Sequence, residues 1–255
     1  MDTTFGTGGL VTTDFSGSSL DQASEMVLQS DGKIVVGGYS DAGGSNDFAL
    51  ARYSSDGSLD TTFGTGGLVT TDFSGSSDDQ ARQMVLQSDG KIVVGGYSDA
   101  GGSGDFALAR YSSDGSLDTT FGTGGLVTTD FSGSSLDQAG PVVLQSDGKI
   151  VVGGYSDAGG SNDFALARYS SDGSLDTTFG TGGLVTTNFS GSSSDVAIAT
   201  VLQSDGKIVV GGISSAGGSI DFALARYGSD GSLDTTFGTG GRKRSSKSIL
   251  QAVRK

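Results

Sequence analysis

Aspartate dominates the side chains of this sequence that can do chemistry. All but one of the 29 acidic residues are aspartates, the exception being Glu25. Eight of them recur as pairs: Asp21 and Asp47, Asp79 and Asp105, Asp137 and Asp163, Asp195 and Asp221. Each pair stands 58 residues after the one before it. Carboxylates presented at one end of a repeating scaffold suit Ca²⁺, a hard cation that takes about six to eight oxygens. The competing reading is structural, because aspartate in a turn accepts hydrogen bonds from the amides of its own loop. Ca²⁺ is therefore carried as the one cofactor reading, and no other cofactor is expected.

Other chemistry is sparse. Histidine and cysteine are absent. This removes the usual general base, the commonest transition-metal ligand, thiolate chemistry and disulfides. Paired carboxylates are the tools of glycoside hydrolysis. Copies this similar would predict several equivalent sites, however, and no nucleophile–base pair stands out, so the expectation is a protein without catalysis. The string Phe63-Gly64-Thr65-Gly66-Gly67 resembles a phosphate-cradling loop. It lacks the G-x-G-x-x-G spacing, a following helix and a Lys-Ser/Thr pair, and reads as a turn. The loop Gly101 to Asp105 is similar to a calcium-binding β-roll loop, but that motif needs a tandem nine-residue period and the period here is 58. Arg52, Arg110, Arg168 and Arg226 each sit late in an apolar run. A guanidinium buried there needs a carboxylate, so a structural ion pair with an aspartate of the repeat is expected.

Charge narrows the partners. The 255 residues carry a formal net charge of −14. All the acids precede Arg242, and six of the 15 basic residues follow it inclusively, leaving a body of −20 and a tail of +6. Such a body repels nucleic acid and anionic membranes. No apolar stretch approaches the roughly 20 residues of a membrane span. The start, MDTTFGTGG, has neither the basic nor the apolar segment of a signal peptide, and it reads as the middle of a repeat. A fragment of something longer is expected.

The elements that position these residues follow from a tandem repeat. DTTFGTGG recurs from Asp2, Asp60, Asp118, Asp176 and Asp234. This defines copies 1–58, 59–116, 117–174 and 175–232, a partial copy 233–241, and a basic tail 242–255 expected to be disordered. In the second copy, Gly67–Phe73, Gln80–Gln87, Lys91–Tyr97 and Asp105–Tyr111 read as four strands. Asp89-Gly90 marks a hairpin and Asp99–Gly104 a Gly-rich loop. KIVVGGY and DFALARY are apolar or small throughout and should be buried on both faces. GLVTTDF is half polar and suits the rim. Four strands per unit, repeated, is the pattern of a propeller blade. The fold expected is all-β: a β-propeller of four four-stranded repeats, as a four-bladed ring or as half of an eight-bladed dimeric ring. Gly9–Phe15 would complete the last sheet, within the chain or by strand exchange between two chains.

LQSDGKIVVGG, DFALARYSSDGSLDTTFGTGG and LVTTDF resemble the delta-60 repeat, a β-propeller repeat of uncharacterised function found mainly in bacterial proteins that are often secreted or at the surface. The resemblance covers residues 1–241. It implies a propeller without catalytic residues, a place at or outside the cell surface, and more repeats than four.

The copies differ at ten positions, five of them in one seven-residue stretch that enters the innermost strand. That stretch gives candidate ligand contacts Leu20, Ser24 and Glu25 in the first copy, and Asp78, Arg82 and Gln83 in the second. Leu136 stands there in the third copy, and Ser194 and Ile198 in the fourth. Tyr39, Tyr97 and Tyr155, which become Ile213 in the fourth copy, join them from the loop between the second and third strands. All but the Ser54 position, Gly228 in the fourth copy, are expected at one end of the blades. Variation gathered on a constant scaffold is how loop-borne binding sites look, and also how solvated loops drift. Two functions follow: a module binding a protein or glycan through the variable face, and a structural or adhesive spacer within a larger surface protein.

Overall fold

A computed structural model describes residues 2–245. The described residues form 16 strands and no helix. They cluster into two compact units, Met1–Asp130 and Phe131–Lys255. In the first unit, one sheet holds β1 (Asp21–Leu28), β2 (Ile34–Ser40), β3 (Asp47–Tyr53) and β4 (Leu68–Thr71). The next holds β5 (Asp79–Leu86), β6 (Ile92–Ser98), β7 (Asp105–Tyr111) and β8 (Leu126–Thr129). In the second unit, the third sheet holds β9 (Asp137–Leu144), β10 (Ile150–Ser156), β11 (Asp163–Tyr169) and β12 (Leu184–Thr187). The fourth holds β13 (Asp195–Leu202), β14 (Ile208–Ser214), β15 (Asp221–Tyr227) and β16 (Arg242–Ser245). Every sheet is an antiparallel meander in chain order. The four-stranded repeat read from the sequence is thus the sheet of the structure, with the LVTT strand of the next copy as its outer member.

Turn chemistry closes the meanders. Gly90, in the Asp-Gly turn between β5 and β6, has φ +85°, which only glycine adopts without strain. The FGTGG segments are turns as well: Thr65 N–H bonds to Leu68 C=O at 2.8 Å, and Gly67 N–H to Phe63 C=O at 2.9 Å. Each innermost strand is bulged, as between Ala81 and Gln83 opposite Gly95 and Gly96. A Cβ on Gly96 would lie 2.0 Å from the Gln80 carbonyl oxygen, so the bulge requires glycine there.

Burial follows the expected pattern in the second and third sheets, whereas β2, β14 and β15 are buried only in part. In the second sheet β6 and β7 are buried from end to end. The core of the first unit forms where Val35, Phe48, Leu50 and Phe63 meet the next sheet's Ala81, Met84, Ile92, Val94, Ala107, Ala109 and Tyr111. The second unit repeats it: Val151, Phe164, Leu166 and Phe179 meet Ala197, Ile208, Val210, Ala223, Ala225 and Tyr227.

Two expectations are corrected. The tail was read as starting at Arg242, yet Arg242–Ser245 pair with β15 as the outer strand, because backbone hydrogen bonding tolerates RKRS where LVTT stands elsewhere. Residues 246–255 lie outside the described residues. Within the chain the outer slot of the last sheet is held by β16 and not by Gly9–Phe15. Instead Leu10 makes only an isolated bridge with Thr7, and Thr13 Oγ lies 2.6 Å from Tyr53 Oη, as Thr71 does at 2.8 Å from Tyr111.

Candidate functional site

The arginines are structural, as expected. Arg52 is 5% exposed at the end of β3. Its Nε donates to Asp60 Oδ2 at 2.8 Å, its guanidinium lies 4.6 Å from the Phe63 ring centroid, and Nη1 donates to the Ser113 carbonyl. Lys33 adds a second cation at 2.9 Å from Asp60 Oδ2. Asp60 Oδ1 accepts from the N–H and hydroxyl of Thr62. The Thr62 and Lys33 hydrogen bonds hold the Asp60 carboxyl well below the usual carboxylate range. Arg168 and Asp176 repeat the arrangement in the second unit.

Five of the variable positions meet at one end of the strands. β1 begins, β2 ends and β3 begins there, so positions 20, 22, 39, 41 and 46 converge. In the first copy Tyr39 Oη donates to Gln22 Oε1 at 2.8 Å, and Leu20 N–H to Asp41 Oδ1 at 2.6 Å. The second copy is richest. Asp78 accepts from Tyr97 Oη at 2.9 Å and from Asn46 Nδ2 of the preceding copy at 2.6 Å. Arg82 donates to Gln80 Oε1 at 3.0 Å, with its guanidinium 5.6 Å from the Tyr97 ring centroid. Tyr97 itself is buried, and burial followed by the Asp78 carboxylate pushes its hydroxyl pKa up. Leu20, Leu136 and Ile198 are exposed, as are Ser24 and Ser194. Glu25, Asp78, Arg82, Gln83 and Tyr155 are half-buried. In the fourth copy Ser194 N–H bonds to Ser215 Oγ at 2.8 Å, so the exchange at 41 keeps the contact to position 20. Ser24 and Glu25 lie further along β1, at its bulge. Asn46 and Gln80, at positions that also vary between copies, belong to this constellation although neither was singled out as a ligand contact.

The two aspartates of each copy open their strands at the same end and meet different partners there. Asp21-type residues bond loop amides: Asp21 Oδ2 accepts from Phe15 N–H at 3.0 Å, and Asp79, Asp137 and Asp195 from Phe73, Phe131 and Phe189 at 2.8 Å. Asp47, Asp105 and Asp163 are buried where they open their strands, and Asp221 is half-buried. Asp47 does not pair with Asp21 of its own copy. It meets Asp79 of the next copy and Asp72, one carboxylate oxygen of each lying within 4.8 Å of the others. Burial, with the charges of Asp72 and Asp79, pushes the Asp47 carboxyl up to about 6. Burial likewise raises Asp79. Asp72 was not among the expected acids; its signal is the one exchange at that position, Asn188 in the fourth copy.

Four-stranded meanders repeated along the chain, stacked through aromatic and aliphatic faces within each unit, define a repeat β-propeller module. The chain matches the family described as a domain of unknown function (DUF5122) beta-propeller over residues 29–63, 87–121, 145–179 and 203–237, more than half its length, and belongs to it. The matched segments carry the second and third strands of each sheet and the connection to FGTGG, and stop short of stretch 20–26 and its equivalents. This agrees with the delta-60-type resemblance. No curated protein matches the chain. Among the described residues no helix is long and apolar enough to cross a membrane.

Proposed function

We propose that this chain is a non-catalytic binding scaffold, with strands that hold a constant framework and a variable end that contacts a polar ligand, a glycan or a protein. The observation that carries this reading is the constellation of Asp78, Gln80, Arg82 and Tyr97 with Asn46. These side chains stand at positions that differ between copies, and they offer a guanidinium, amides and a carboxylate at one end of an otherwise repeated framework. Screening the full chain on glycan and peptide arrays tests it. Binding is expected to fall at least about tenfold, or 1.4 kcal/mol, in Arg82→Ala and in Asp78→Ala. A hit that both variants retain in full, or turnover of any arrayed compound, overturns the reading.

A second reading, as an assembling scaffold, is favoured by the two free sheet faces. The first sheet presents a groove of about 390 Å³ lined by Met26, Ile34, Val36, Ala49, Ala51 and Tyr53. Their equivalents in the second sheet are the residues that pack on Val35, Phe48, Leu50 and Phe63. The equivalents of that opposing set in the fourth sheet are Val209, Phe222, Leu224 and Phe237, and Phe222 is 69% exposed. The free faces are thus the two halves of the contact that the chain already makes internally, and the occupant supported is a second copy, head to tail. Leu10–Thr13 of one copy then contends with Arg242–Ser245 of the other for the outer-strand position. Native mass spectrometry is expected to give twice 25.4 kDa for the chain, and the monomer for Phe222→Asp. A wild-type monomer at micromolar concentration counts decisively against this assembly.

A further inference from the structure

We propose that Asp47, Asp72 and Asp79 form a Ca²⁺ site between the two sheets of the first unit. Asp47 opens β3 and is 7% exposed, and Asp79 opens β5 and is fully buried. Asp72 follows β4 and is exposed, which leaves the site open to solvent on one side. One oxygen from each lies within 4.8 Å of the other two, no wider than about twice a Ca²⁺–oxygen distance of about 2.4 Å.

The loop-capping account covers part of these side chains and leaves the rest. Asp79 Oδ2 accepts from Phe73 N–H and Ser77 Oγ, and Asp72 Oδ1 from Ser74 N–H. Asp47 Oδ1 is sealed from solvent without a donor, and the Ser98 hydroxyl lies beside the Asp79 carboxylate. The Asp47 carboxylate makes no hydrogen bond or ion pair with the described residues. A buried carboxylate is retained in a fold when it is paired or coordinates a metal.

The second unit supplies the comparison. The same three positions there are Asp163, Asn188 and Asp195. One carboxylate has become an amide, and the positive charge of Arg242 acts on Asp163. The protein itself supplies part of the offset in that unit, where burial and Asp195 still push the Asp163 carboxyl up to about 6. In the first unit three carboxylates stand together, and the influences on Asp47 are burial and two further negative charges. An oxygen-only donor set selects a hard cation over transition metals. Mg²⁺ demands a tighter octahedron at about 2.1 Å and gives up its water reluctantly, so loosely spaced carboxylates favour Ca²⁺.

The test uses the full chain stripped with chelator in about 150 mM KCl, a salt that screens its diffuse negative charge. Calorimetric titration with CaCl₂, then separately with MgCl₂, is read beside native mass spectrometry and thermal unfolding. Saturable Ca²⁺ binding with a Kd below about 1 mM is expected, together with a rise in Tm. Asp72→Asn should weaken binding at least tenfold. Asp47→Asn should remove one Ca²⁺ per chain and, in chelator, melt above wild type because a buried like charge is gone. Asp31→Asn, on an exposed hairpin, should bind as wild type does. Absence of saturable binding, equal binding of Mg²⁺, or wild-type stoichiometry in both Asp47→Asn and Asp72→Asn overturns the site.

Discussion

Asp60→Ala is expected to destabilise its unit by about 3–5 kcal/mol, the cost of leaving a buried ionic partner alone. The substitution strands the Arg52 guanidinium, 5% exposed, without its carboxylate. It also removes the acceptor of the Thr62 amide. The exposed Asp31–Lys33 pair at 3.7 Å provides the contrast, and Asp31→Ala should cost under about 1 kcal/mol. Urea unfolding monitored by tyrosine fluorescence gives both numbers, and an Asp60→Ala loss below about 1 kcal/mol would refute the structural role. A pH arm adds an independent reading. The folded Asp60, Asp118 and Asp176 carboxyls are held below their ordinary pKa, by threonine and lysine hydrogen bonds and the adjacent arginine. Their contribution is therefore complete above the unfolded carboxyl pKa of about 3.9 and is lost as pH falls below it. Asp60→Ala should flatten part of that acid limb.

Phe48→Ala should cost about 3–5 kcal/mol, whereas Phe222→Ala should cost under about 0.5 kcal/mol in the isolated chain. The two phenylalanines occupy the same place in the same string, DFALARY. Phe48 is fully buried, with its ring centroid 5.0 Å from that of Phe73 in an edge-on contact. Truncation there removes the transfer energy, the aromatic pair and the support of the facing sheet. Phe222 faces outward. If a second copy covers it, Phe222→Ala acquires a cost that grows with protein concentration. Equal losses at the two positions in dilute solution would mean that the fourth sheet is covered in the monomer.

Much of this architecture was legible beforehand. The Asp-Gly turns, the apolar KIVVGG and DFALAR runs and the 58-residue period yield the strand order of every sheet, because hairpin turns force neighbours in sequence to pair. The ion pair of Arg52 also followed from sequence, since a cation late in an apolar strand must find a carboxylate. Convergence of positions 20, 22, 39, 41 and 46 at one strand end followed from counting strand directions, whereas positions 24 and 25 lie further along the first strand. The acidic cluster did not. Asp47, Asp72 and Asp79 come from two copies and three different places in the repeat, and a repeat read by itself shows only that each is an aspartate beside a strand.

The sequence by itself therefore determined the repeat, its strands and the pairing within each sheet, since these depend on residues close along the chain. Only the tertiary structure decided which faces are buried. Identical strings become core in β7 and a half-open surface in β15, because burial depends on the neighbouring sheet and not on the residue. The same holds for charge: Asp47 is a buried, unpaired carboxylate because the next copy's Asp79 and Asp72 are laid against it.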